Sequence, residues 1–220
     1  MTFDEYVAFM ATPANLAREG TGGTARVDRS GFFRQAFDRA RLNPDQRAAF
    51  DWLLAQPNPP TKMLAISEEW SSDCRRDIPT FARIAADTGM ELRIFTRDGQ
   101  KFGAANVPDA ADSPNADLMA MFLNHKDGQT YQSIPVCAFF TANFEYLYHF
   151  TEYAAIYDKE RVVVQNIRAP KPDEAAPDTR ARADREFGAL QQSPFWRIWT
   201  SAMVDEIVSA LHRKAVLGVV

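Results

Sequence analysis

The sequence predicts an α/β fold, a central mixed sheet flanked by helices, with helical extensions at both ends. Three observations carry this. An apolar run, Met63-Leu64-Ala65-Ile66, leads through Trp70 into a helical pattern with Ile78, Phe81, Ile84 and Ala85, and a strand-like run, Glu91 to Thr96, follows. Two strands around one helix imply a right-handed crossover and parallel pairing. Ser133 to Phe140 and Glu145 to Phe150 then read as a hairpin turning at Asn143, which makes the sheet mixed. Amphipathic helical stretches lie on both sides of this block. The expected organisation is a helical extension over 1–60, the α/β domain over 61–165, and a linker with carboxyl-terminal helices over 166–220 packing on the same unit.

Composition narrows the classes. Hydrophobic residues make up 46% and charged residues 25%, ordinary globular usage that excludes a disordered chain. A net charge of -4 with no basic stripe gives no reason to expect nucleic acid. Asp4 and Glu5 stand where a secretory signal needs basic residues. No apolar run approaches the roughly 18 residues of a membrane span, so a soluble, cytoplasmic protein is expected. Two cysteines, Cys74 and Cys137, are too few for a disulfide framework and lack zinc-ligand spacing. No metal or cofactor is expected.

Taken in order, Phe3, Tyr6, Val7 and Met10 recur at helical spacing and predict a helix over 3–18, interrupted at Pro13. Gly20, Gly22 and Gly23 make a flexible joint. A second helix over 29–41 puts Phe33, Ala36, Phe37 and Ala40 on one face. Asn43-Pro44 supplies a cap and a first helical position for a third helix ending at Leu54, with Trp52 and Leu53 aimed inward. Pro57-Asn58-Pro59-Pro60 stops it. A buried strand over 61–67 comes next, then Ser71-Ser72-Asp73, residue types that cap helices. Asp98 to Asn115 is a loop, a short helix carries Leu118, Met119, Phe122 and Leu123, and Ile134-Pro135 heads the next strand.

Trp70, Cys74, Pro79 and Ile134-Pro135 resemble, in type and order, the active-site turn, the helix-kinking proline and the cis-proline of the thioredoxin superfamily. The resemblance covers about residues 61–165. Asp73 just before the second cysteine position is similar to a bacterial thioredoxin-like group whose turn reads Trp-Cys-Gly-Asp. On this resemblance Ser71 replaces the nucleophilic cysteine, Cys74 stands at the resolving position, and Ala65 falls where the family keeps a buried carboxylate. A serine hydroxyl forms no disulfide, so dithiol exchange by this turn alone is not expected.

What remains is one candidate catalytic thiol, Cys74, working through a mixed disulfide with glutathione or with a protein or peptide thiol. The candidate binding residues are Trp70, Ser72, Asp73, Ile134 and Pro135. Helix amide dipoles, Arg75 and Arg76 favour a Cys74 thiolate, whereas Glu68, Glu69, Asp73 and apolar burial oppose it. Three other readings stay open. One is a non-catalytic binding module that holds a peptide strand between the turn and the cis-proline. Another is a peroxiredoxin-like peroxidase, whose Thr/Ser-x-x-Cys arrangement Ser71-Ser72-Asp73-Cys74 fits, without the proline that precedes it there. In a purely structural account Ser71 caps the helix and Cys74 is a small buried hydrophobe. Cys137 reads as core filler or as a redox partner of Cys74.

The last third is less patterned. Glu160 to Ile167 fits an added strand or the start of a helix, 168–179 reads as an exposed linker, and 180–190 as a short charged helix. Ser193-Pro194 opens a long helix to about Lys214 with the stripe Phe195, Trp199, Met203, Ile207 and Leu211. Its expected use is docking on the sheet, with a homodimer interface as the alternative. His125, His149 and His212 share no motif.

Overall fold

The computed structural model describes residues 1–126 and 128–218. By its internal contacts the chain forms two units: residues 1–152 together with the chain from Asp205 onward, and Tyr153–Val204.

In the first unit the predicted helix over 3–18 is two helices, α1 (Phe3–Met10) and α2 (Pro13–Leu16). Thr2 closes a capping box on α1 with Glu5, and Pro13 takes the first-turn place of α2, where its missing N–H costs nothing. A single 3-10 turn, Thr21–Gly23, precedes α3 (Ser30–Arg39) and α4 (Pro44–Leu54). On α4 the buried stripe is Gln46, Phe50 and Leu53. Trp52 lies off that stripe, 43% exposed, with its ring 5.1 Å from His212, so the inward placement expected for it is wrong while that for Leu53 is right.

The sheet has four strands in the order β2-β1-β5-β6: β1 (Lys62–Ser67), β2 (Glu91–Thr96), β5 (Val136–Phe140) and β6 (Tyr146–Thr151). The pair β1/β2 is parallel, joined through α5 (Ser72–Thr88), while β1/β5 and β5/β6 are antiparallel. Gly89 ends α5 in the left-handed conformation (φ 76°), donating its N–H to Ala85, and Pro79 lies inside the helix. A short α6 (Ala116–Ala120) and a hairpin of β3 (Asn124–Lys126) with β4 (Gln129–Tyr131) separate β2 from β5. That hairpin was not anticipated, because three-residue strands carry too few positions for alternation to register.

Burial is concentrated where α1 and α5 meet the sheet and α3 packs on both helices. Tyr6 meets Phe33 edge-on at 5.9 Å, Phe81 meets Phe150 at 6.1 Å, and Phe139 is fully enclosed. Each such ring contributes about 1.5–3 kcal/mol on burial. The register sets Ala65 between Ile94 and Cys137, and Ile66 opposite Val136. The start of α5 and the Ile134–Pro135 segment thus reach the same end of the sheet.

The second unit resolves the ambiguous Glu160–Ile167 segment as a helical stretch of π type. Helix α7 (Ala176–Gln192) starts inside the segment expected to be linker, with Pro177 in its first turn. Helix α8 (Pro194–Leu217) begins here and belongs to the first unit from Asp205 onward. Tyr157 stacks on Trp199 at 4.0 Å, with Val163 and Trp196 completing a small core. Of the five-residue stripe read along α8, Phe195 is 58% exposed and the other four are buried. Arg182 pins this unit together, donating to the carbonyls of Ile167 and Ala169 and to Glu174.

Candidate functional site

The turn between β1 and α5 holds Trp70, Ser71, Ser72, Asp73 and Cys74. Ser71 is the helix cap: its Oγ accepts from the Cys74 N–H at 3.3 Å, satisfying a donor that the first turn of a helix leaves free. The Ser71 hydroxyl is therefore engaged with backbone. Cys74 has no exposed surface. Burial pushes its thiol up to about 12, against hydrogen bonds with Ser67, the Glu68 backbone and Ser71 that pull it down. Tyr6 joins the same buried chain through its hydroxyl, 2.9 Å from Ser67 Oγ.

The two arginines expected to favour a thiolate are occupied elsewhere. Arg75 donates to the carbonyls of Trp70 (2.7 Å) and Glu69 (3.2 Å). Arg76 is buried and bridges Asp73 at 2.9 Å and Asp77 at 2.6 Å, and also donates to the Glu152 carbonyl at 3.0 Å. Asp73 is thus a buried ion-pair member at the helix start, and Ser72 stays half-buried at the rim.

Beside the turn lies a cluster that sequence reading missed. Glu68, Glu69 and Asp98 are all buried, and three arginines, Arg18, Arg26 and Arg97, converge on them. Arg26 reaches Glu68 at 2.6 Å and Glu69 at 2.8 Å, Arg18 reaches Glu68 at 2.8 Å, and Arg97 reaches Asp98 at 2.8 Å. Asn15 donates to Glu69 at 3.2 Å. Burial pushes the Glu68 carboxyl up, Arg18 pulls it down, Asp98 pushes it up again, and Arg26 pulls it down. Trp70 is fixed by its indole N–H on Asp98 (3.1 Å), by a T-shaped contact with Phe102 and by the Arg97 guanidinium over its ring. The available signal was the pairing of Glu68-Glu69 and Arg97-Asp98 directly after two adjacent parallel strands, the end of a sheet where α/β sites gather. Nothing in local pattern pointed to Arg18 and Arg26.

Gly99 shapes this corner, because a Cβ there would overlap the Asp112 carbonyl oxygen. Gly99→Ala is therefore expected to cost about 1–3 kcal/mol, as overpacking does. An unchanged melting temperature would mean that the 109–114 loop yields freely.

The Ile134–Pro135 peptide is cis, and the Pro135 carbonyl accepts from the Glu152 N–H at 2.8 Å. Ile134 is 5% exposed, and its own N–H and carbonyl have no hydrogen-bond partner among the described residues. Cys137 lies two residues farther, fully buried in β5 opposite Ala65 and Phe150, its thiol raised well above the ordinary range by burial and by nearby Asp77. Both cysteines are free thiols. The histidines stay apart: His125 contacts Thr130, His149 contacts Tyr146, and His212 contacts Trp52. Among the described residues no group of three potential metal ligands forms, and no helix is long and apolar enough to cross a membrane.

A family model described as thioredoxin matches residues 32–108, the span that holds α3, α4, β1, the turn, α5 and β2. That span is thioredoxin-like. No curated protein matches it. Among solved structures it is similar to a Pseudomonas aeruginosa protein of unknown function, at 11% identity and a TM-score of 0.49, over 98% of this chain and 99% of that one. Within this thioredoxin-like frame the turn presents a capping serine, a buried thiol and a balanced set of buried charges.

Proposed function

We propose that this protein is a non-catalytic thioredoxin-fold binding module, whose turn and cis-proline segment hold an extended peptide strand and whose turn carries no thiol exchange. The observation that carries this reading is the complete burial of Cys74, with its thiol pushed up to about 12 behind a serine committed to helix capping. Thiol exchange and peroxide attack both need an accessible thiolate. A thiol shifted from about 8.5 to this value has a thiolate fraction about three orders of magnitude lower at neutral pH. The binding side of the reading is supported by the unpaired backbone of Ile134, which offers one donor and one acceptor to a strand, and by the half-buried rim of Trp70, Ser72 and Ser133.

The deciding experiment is the rate of iodoacetamide labelling of Cys74 across pH, folded and in denaturant, in a Cys137→Ser background. At pH 7 the folded protein is expected to label at least about 100-fold more slowly than the denatured chain. A folded rate at or above the denatured one, or formation of a mixed disulfide with glutathione, would restore the single-thiol redox reading. Binding itself is read by the Ile134 amide shift during titration with extended peptides, and that shift should disappear in Trp70→Ala.

A further inference from the structure

The segment between α2 and α3 is attached to the turn in an unusual way. From Glu19 to Phe32 only Gly20 and Arg26 are buried, and glycine has no side chain to pack. No apolar group holds residues 19–29 down. Their tip, Thr21–Gly23, is exposed, and Gly22 and Gly23 adopt positive φ (63° and 76°) with open space around them. A single bridge, Glu19 with Ala25, brings the two limbs together, and Arg26 Nε locks it by donating to the Glu19 carbonyl at 3.0 Å. At the Glu19 end the segment is tied to the loop after β2, through Glu19 N–H on Gln100 and Phe102 N–H on the Glu19 carboxylate. At the other end the attachment to the turn is the Arg26 guanidinium, inserted between Glu68 and Glu69.

We propose that residues 19–29 form a strap, latched by Arg26, that closes over the Glu68–Ser71 side of the turn and opens as a unit. The strap governs access to the Glu68–Glu69 lip of the turn, a role that rests on reading the turn as a binding surface. Buried ion pairs suit a latch, because the cost of desolvating the charges offsets much of their attraction. This latch also carries a defect: Arg26 Nη2 is buried without a hydrogen bond, 3.7 Å from Asp98. Opening would hydrate that nitrogen and both carboxylates, while little apolar surface would be lost. Segments of this kind, held by few apolar contacts, open at far lower cost than the core. The lip that would be uncovered adjoins the thiol, since the Glu68 backbone and Ser71 both hydrogen-bond with Cys74.

The test compares the full chain carrying Cys137→Ser with the same chain carrying Arg26→Gln. Hydrogen exchange of the Glu19 and Phe102 amides, whose bonds join the strap to the loop after β2, is expected to rise at least tenfold in the variant, while amides in the middle of α5 keep their protection. Cys74 labelling by iodoacetamide should rise in parallel. Arg26→Lys, which keeps the charge but not the fork, should fall between the two, and it serves as the comparison if Arg26→Gln does not fold. Unchanged strap exchange would overturn the latch, as would equal loosening of α5, which would make Arg26 an ordinary core residue. Faster strap exchange with Cys74 still protected would overturn the control of access to the turn. Rapid labelling in the parent chain would instead count against the function proposed above, and the exchange comparison would still judge the latch.

Discussion

Arg76→Met is expected to lower the unfolding free energy by about 3–5 kcal/mol, the cost of leaving buried charge without its partner. The guanidinium is 1% exposed and holds Asp73 and Asp77, which are 4% and 0% exposed, so its removal takes an ion-pair partner from two buried carboxylates. The same residue ties α5 to the Glu152 carbonyl, and the Glu152 N–H holds Pro135. The loss should therefore also loosen the segment carrying Ile134. Urea denaturation measures the first effect, and exchange of the Glu152 amide the second. The contrast is Arg34→Met, which breaks an exposed pair with Asp4 and should cost no more than about 1 kcal/mol. If the two variants lose equal stability, the Arg76 site is hydrated and the ion-pair account fails.

Cys74→Ala should change the pH dependence of stability in the alkaline range. The folded thiol is raised to about 12, whereas the unfolded one ionises near 8.5. Below the unfolded value both states keep the proton, and the contribution is fully present. Between the two values the unfolded chain releases its proton and the folded chain does not, so stability falls as pH rises. The slope from this group reaches about 1.4 kcal/mol per pH unit. Cys137 and Tyr6 are raised by burial too and act in the same direction, so the useful quantity is the difference between parent and variant. That difference should be constant below about pH 8 and shift steadily in the variant's favour above it. A flat difference up to pH 11 would mean that Cys74 ionises within the folded protein.

Much of the fold was legible because its signals are local. The apolar run before Trp70, the Asn43-Pro44 cap and the paired strands after Ile134 each act over a few residues, and the corresponding elements lie within a few residues of their expected bounds. Trp52 was misplaced because its helix turns Phe50 and Leu53 inward, leaving the neighbouring position at the edge. At the site the turn residues were found by their order, and the capping role of Ser71 was among the readings offered. The charge cluster was not. Arg18 and Arg26 flank a glycine-rich joint, whereas the carboxylates and Arg97 follow two strands, with 50 positions between Arg18 and Glu68. Periodicity carries no information across such distances. The thiol's partner Ser67 is in turn held by Tyr6 of α1, 61 positions away.

The interior position of both sulfurs bears on where this protein can work. Sulfenic acid formation, glutathione capping and chain-to-chain crosslinking all begin with an oxidant or a thiol reaching a sulfur atom. With neither sulfur accessible in the closed form, the molecule should keep one covalent state across compartments of different reduction potential. A scaffold associated with electron traffic would then serve as a part whose shape is insensitive to it.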